Sequence, residues 1–134
     1  MAEDAETAVR RALLLFARCR EDNDIELDDL LAGLIDEYGW PPVNEGIFRA
    51  LESNESELWG AAVSAIWSAV LDRRTMDSDR AIALIYHRLD PVPSDLDDNL
   101  AWGIASRLKG VGYLSDYDPL SDPGVVAQLA KLSR

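Results

Sequence analysis

An all-α fold is predicted for this chain of 134 residues, and three observations predict it. Apolar residues recur at steps of three and four along about seven segments, which is the spacing of an amphipathic helix. Glycine, proline and capping residues mark the breaks between those segments. No segment alternates between apolar and polar residues as a strand would, beyond a short candidate at 111–114. We expect stacked antiparallel hairpins, as a short HEAT-like solenoid or a compact bundle, in a single domain over residues 1–134.

The first three helices are predicted from their apolar stripes and their ends. They are expected over about 4–20, 27–38 and 43–51. The second ends at Gly39, because glycine suits the position after a helix and the following Trp40-Pro41-Pro42 sequence cannot continue it. The third is shorter, and Asn44 is its candidate N-cap.

The remaining four helices follow from the same kind of pattern. They are expected over about 56–71, 78–89, 95–108 and 123–132, with caps at Ser56, at Asp77 or Ser78 and at Ser94. Asp122-Pro123 opens the last of them. The first of these has the broadest apolar face and should be central. A shift of 43 residues superimposes Trp59-Gly60 on Trp102-Gly103 and Asp79 on Asp122, a period within the range of HEAT and armadillo helix pairs. Chance similarity between two amphipathic hairpins explains the same matches, so the repeat stays open.

The composition excludes several classes of function. The chain has 25 Asp and Glu against 13 Lys and Arg, with a net charge of −12 and a pI near 4.3, so nucleic acids would be repelled. One Cys and one His exclude disulfides and zinc sites rich in thiolate or imidazole. No apolar run is long enough to cross a bilayer, and the N-terminus does not resemble a signal peptide. We expect a cytoplasmic protein.

The negative charge is concentrated in one stretch, residues 21–39, which contains no Lys or Arg. Its carboxylates are Glu21, Asp22, Asp24, Glu26, Asp28, Asp29, Asp36 and Glu37, and we call them the acidic segment. Helix stability explains part of this negative charge, because carboxylates in the first turn of a helix interact favourably with the macrodipole. The other interpretation is a landing site for a basic protein, since complementary charge raises association rates and helps to select a partner.

Aromatic residues supply further candidate partner-binding positions. Tyr38 and Trp40 are expected at the end of helix two, beside a rigid Pro-Pro turn, and aromatic anchors bordered by charges are typical of interfaces. A second candidate patch lies in the loop after helix six and comprises Tyr113, Asp116, Tyr117 and Asp118. Packing against the protein's own core is the alternative for both sets.

Catalytic and metal-binding patterns are missing from the sequence. A calcium loop beginning at Asp22 fails, because it would place Leu27 at the sixth position and Gly33 at the twelfth, where an EF-hand needs glycine and glutamate. Cys19 falls on the apolar face of helix one as a small buried residue, and His87 is interpreted as a surface residue. No nucleophile and base are paired in a recognisable motif. We therefore predict no enzymatic activity, no cofactor and no metal.

One stretch of the chain resembles a known family. Residues 98–110, with the sequence DNLAWGIASRLKG, followed by Gly112-Tyr113-Leu114 and 116–120, with the sequence DYDPL, resemble small HEAT-like helical immunity proteins encoded beside bacterial toxins. The resemblance implies an acidic protein that binds a cognate toxin domain tightly and blocks its active site or substrate path. It carries no assigned functional residues onto this chain.

Other interpretations remain open. A HEAT-like scaffold would bind an apolar helix and use its acidity for solubility. A helical enzyme would use paired carboxylates and a divalent metal. A basic strip around helix five, formed by Arg73, Arg74, Arg80 and Arg88, could meet the acidic segment of a second copy, although the sequence does not decide the oligomeric state.

Overall fold

The computed structural model describes residues 4–18, 26–53, 55–87, 98–110 and 121–132. These residues form seven helices and no strand, so the all-α prediction is confirmed. The helices are α1 (Ala5–Arg18), α2 (Leu27–Tyr38), α3 (Trp40–Leu51), α4 (Ser56–Leu71), α5 (Ser78–Tyr86), α6 (Asp98–Lys109) and α7 (Pro123–Leu132). The arrangement as stacked HEAT-like hairpins stays a prediction, as does the strand candidate at 111–114, which lies outside the described residues.

Contacts divide the chain into two compact units, residues 1–69 and 70–134. In the first unit α1 packs against α2 and α3, and α2 also packs against α3. Gly46 allows the close approach of α1 and α3, because a Cβ at this position would lie 3.0 Å from the Val9 side chain. Asp4 caps α1 by accepting a hydrogen bond of 2.7 Å from the Thr7 backbone N–H. The Thr7 side chain first, and this backbone bond second, lower the pKa of the Asp4 carboxyl below its ordinary value.

Gly39 joins α2 to α3 with almost no intervening loop. Its backbone N–H donates a hydrogen bond of 2.8 Å to the Ile35 carbonyl. Its φ of 87° is a conformation that glycine adopts without steric cost. The predicted end of α2 before Gly39-Trp40-Pro41-Pro42 is confirmed. The predicted start of the third helix near residue 43 and its predicted cap at Asn44 are wrong, because α3 already begins at Trp40. Both prolines lie in the first turn of α3, where a missing backbone N–H costs no intrahelical hydrogen bond.

α4 is buried over most of its circumference. Leu58, Trp59, Ala62 and Ile66 are among its fully enclosed residues, as expected for a helix that is apolar on nearly every face. Ser56 is the first residue of the helix and not its cap. After the helix, Arg73 has a φ of 58°, a left-handed conformation usually taken by glycine at this position.

In the second unit α5 packs against both α6 and α7. Ile82, Ala83, Ala105 and Val125 form its buried centre. Asp77, one of the two predicted caps of α5, accepts a hydrogen bond of 3.2 Å from the Arg80 backbone N–H. The other predicted ends of this region at 89–91 and 94 lie outside the described residues, as does Cys19 in the first unit.

Candidate functional site

The outward face of α2 is built almost entirely from carboxylates. Leu27 and Leu31 are buried on its inward face. The exposed positions are Asp28, Asp29, Ala32, Gly33, Asp36 and Glu37, and we call this set the acidic face. Because residues four apart lie above one another on a helix, the face consists of two rows, each with a carboxylate at both ends and a small residue between them. The two ends lie about 12 Å apart along the axis.

None of these carboxylates is neutralised within the described part of the chain. No lysine or arginine there forms an ion pair with Asp28, Asp29, Asp36 or Glu37. Asp28 accepts a hydrogen bond from the Ser68 hydroxyl of α4, and a neutral donor leaves the charge in place. Glu26, just before the helix, is also exposed. The face therefore presents concentrated negative charge to solvent.

The carboxylates at the two ends of the acidic face have opposite effects on the stability of α2 in the free protein. Asp28 and Asp29 lie in the first turn of α2, where the helix macrodipole stabilises negative charge. Asp36 and Glu37 lie in the last turn, which contains no basic residue, and there the macrodipole opposes them. Helix stability therefore explains the presence of carboxylates at positions 28 and 29. It does not explain the carboxylates of Asp36 and Glu37.

The predicted aromatic anchors are less accessible than the carboxylates. Tyr38 and Trp40 are half-buried, and each already interacts with other parts of the chain. Trp40 belongs to the first turn of α3, so the two residues do not flank a loop. Their role as partner-binding anchors stays a prediction. The remaining predicted site residues, Asp22, Asp24, Tyr113, Asp116, Tyr117 and Asp118, lie outside the described residues.

A second charged cluster links α5, α6 and α7 of the second unit. It was not predicted from the sequence. The Lys109 ammonium at the end of α6 donates to the Asp79 carboxylate of α5 and lies 3.1 Å from Asp122 Oδ2. Asp122 Oδ1 in turn accepts a hydrogen bond of 3.1 Å from the Gly124 backbone N–H and caps α7. The only signal in the sequence was the 43-residue shift that superimposes Asp79 on Asp122.

This cluster is suited to holding helices together. The hydrogen bond to Asp79 is the main cause that raises the pKa of Lys109, followed by the contact with Asp122, while burial opposes the rise. Lys109 therefore stays protonated at neutral pH and cannot serve as a base or a nucleophile there. Gly124 lies so close to Asp79 that a Cβ would overlap the carboxylate.

The described residues contain no candidate metal site and no candidate membrane span. No group of three or more His, Cys, Asp or Glu side chains is placed to hold a metal ion there, and His87 is exposed at the end of α5. No helix in the same residues has both the length and the apolar character needed to cross a bilayer.

Comparisons with known proteins add no relative: the chain matches no protein-family model, no curated protein and no solved structure.

Proposed function

We propose that the protein binds a cationic protein partner through the acidic face of α2, and that it acts as an immunity protein which neutralises a cognate bacterial toxin domain. The observation that carries the proposal is the pair Asp36 and Glu37. Both are exposed at the end of the helix where the macrodipole opposes negative charge, and no described basic residue pairs with them. A cationic partner would convert this unfavourable charge into a favourable contact.

The mechanism of neutralisation is electrostatic capture followed by steric blockage. A toxin that acts on nucleic acid holds phosphates in a basic cleft, and an acidic helix face can occupy or cover such a cleft. The negative field around residues 26–37 would steer the partner and raise its association rate. The small residues Ala32 and Gly33 allow close approach of the partner between the two carboxylate ends. No covalent step is assigned to this protein.

The proposal can be tested with the protein encoded by the neighbouring gene. Its C-terminal domain, expressed alone, is expected to be basic and to arrest growth, and coexpression of this chain should restore growth. The test variant is D36N/E37Q, and the matched control is E6Q/D72N, which removes two exposed carboxylates outside α2. At low salt the test variant should associate at least about tenfold more slowly, and the control should not.

Stability measurements separate binding from folding. Because the macrodipole opposes Asp36 and Glu37, D36N/E37Q should unfold at a slightly higher urea concentration than the wild type, by a few tenths of a kcal/mol. A variant that is more stable and binds more slowly can be explained only by a role in binding. Equal association rates for the test and control variants would remove the acidic face from the proposal, and a neighbouring gene without a growth-arresting product would remove the immunity role.

A second candidate, a helical scaffold that binds an apolar segment, is favoured by a different observation. Leu71 at the end of α4 and Val126 on α7 are large apolar residues that remain exposed. In that case Val126→Ser would weaken partner binding while D36N/E37Q would not. The two candidates therefore give opposite results with the same pair of variants.

A further inference from the structure

The outward face of α1 carries basic and apolar residues in alternating tiers. Arg10 and Arg11 form one tier, Leu14 and Leu15 the next, and Arg18 the third. Together with Thr7 they line a shallow groove of about 470 Å³. Leu15 is 44% exposed and lies between the two arginine tiers.

The acidic face of α2 has the complementary order. Its tiers are Asp28 and Asp29, then Ala32 and Gly33, then Asp36 and Glu37. Successive tiers on both helices are four residues apart, which corresponds to about 6 Å along the axis. When the arginines of α1 lie beside the carboxylates, the leucines therefore lie beside the small residues of α2. Large leucine side chains that face small residues allow the two helices to pack closely.

The spacing of individual charges agrees with this order. Arg11 and Arg18 are seven residues apart, and so are Asp29 and Asp36; both separations correspond to about 10.5 Å along a helix. Since charges of one sign occupy both ends of each face, the match holds for parallel and for antiparallel helices. Rows of residues four apart on both helices pack at a crossing angle of about −50°.

The ion pairs of Arg10 and Arg18 do not prevent the contact. Arg10 pairs with Glu55 at 2.6 Å, and Arg18 pairs with Glu57 at 3.4 Å. In both pairs each side chain is at least half exposed, and ion pairs this exposed contribute little to stability. Arg10 and Arg18 can therefore turn toward a more concentrated group of carboxylates with little loss of stability.

We propose that a second copy of this chain docks on this surface, with α1 of one copy packed across the acidic face of α2 of the other. A two-fold arrangement, in which α1 of each copy meets α2 of its partner, makes the contact twice and closes the assembly. The net charge of −12 on each copy opposes association over long distances. At physiological ionic strength this repulsion is screened beyond about 8 Å. The short-range contact between α1 and α2 therefore determines whether two copies associate.

Sedimentation equilibrium and light scattering test the proposal. The wild type should show a concentration-dependent dimer, and R11E/R18E should weaken dimerisation by at least about tenfold. The control R73E/K131E makes the same change in net charge at exposed residues outside α1 and should dimerise like the wild type. D29R/D36R, which reverses the charge on α2, should weaken dimerisation by a similar factor. An equimolar mixture of R11E/R18E and D29R/D36R should associate again, because each reversed face then meets a complementary one.

Three results would overturn the proposal. The first is a wild type that remains monomeric up to about 1 mM. The second is a control that dissociates as readily as R11E/R18E. The third is a mixture of the two reversed variants that fails to associate. Self-association uses the same acidic face as the proposed partner contact, so the two contacts compete. They can still be told apart, because R11E/R18E leaves α2 intact and should lose self-association while still binding a cationic partner.

Discussion

Replacing Lys109 by methionine should destabilise the second unit more than any other single charge removal in its described part. Lys109 is shared by Asp79 of α5 and Asp122 at the start of α7. Methionine retains the apolar stem and removes the charge and the hydrogen-bond donors. Two carboxylates that now share an ammonium would face each other without one, and α7 would lose the group that orients its cap.

The size of the effect follows from the burial of the three side chains. Lys109, Asp79 and Asp122 are 23%, 34% and 18% exposed. Removing one partner from a fully buried ion pair costs about 3–5 kcal/mol. Solvent screening at this level of exposure reduces the cost, and we expect a loss of about 2–3 kcal/mol. That is a large part of the roughly 5–15 kcal/mol by which small domains are stable.

The pH dependence provides an independent check on the same interaction. Asp79 and Asp122 raise the pKa of Lys109 in the folded protein above its ordinary value of 10.5. A group whose pKa is raised by folding contributes its full stabilisation below the unfolded pKa, and this is lost as the pH rises through the folded pKa. The difference in stability between wild type and K109M should therefore be constant from pH 6 to 9 and should shrink above about pH 10.5.

The assay is urea unfolding followed by circular dichroism, with Lys131→Met as the matched control. Lys131 is an exposed cation on α7, and its loss should change stability by less than about 0.5 kcal/mol. The double variant K109M/D79N should recover part of the loss, because it also removes one of the stranded carboxylates. If K109M and K131M unfold at the same urea concentration, the cluster does not hold the unit together and the reasoning is refuted.

Two further predictions concern backbone positions. Gly124→Ala should destabilise the protein by about 1 kcal/mol, because the new Cβ would displace the Asp79 carboxylate and weaken its contact with Lys109. The control Gly60→Ala, in a helix with open space at this position, should stabilise the protein by about 0.5–1 kcal/mol, and equal effects of the two variants in thermal unfolding would contradict the overlap at Gly124. Arg73→Gly should raise stability by about 0.5–1 kcal/mol, since Arg73 has a φ of 58°, and a lower melting temperature would show that the arginine side chain stabilises this turn.

The fold was predictable wherever local signals agreed. α2 was predicted over 27–38 and is found at Leu27–Tyr38, because an apolar stripe and a terminal glycine both point to the same boundary. The start of α3 was not predictable in the same way. Proline ends one helix and also begins the next, so the Trp40-Pro41-Pro42 sequence was consistent with a turn and with a first helical turn. Only the packing of α3 against α1 and α2 resolves that ambiguity.

The candidate site was only partly predictable for a related reason. The exposure of Asp28, Asp29, Asp36 and Glu37 followed from the helical period of α2, which is a local property. The cluster around Lys109 depends on residues 13 and 30 positions away. In a chain with 25 acidic residues, nothing local distinguishes the two carboxylates that a lysine will hold. Partners brought together by tertiary structure leave little trace in local sequence.

The contrast between the two charged regions is the strongest argument that the acidic face serves a partner. In the second unit Asp79 and Asp122 are part-buried and share Lys109, so the fold itself uses and neutralises their charge. On α2, Asp36 and Glu37 are exposed at the end of the helix where the macrodipole opposes them, and the described part of the chain offers them no cation. Solubility alone would not require this position, because the same charges would cost less in the first turn of the helix. A group that destabilises its own helix and is available to solvent supports the proposed contact with a cationic partner.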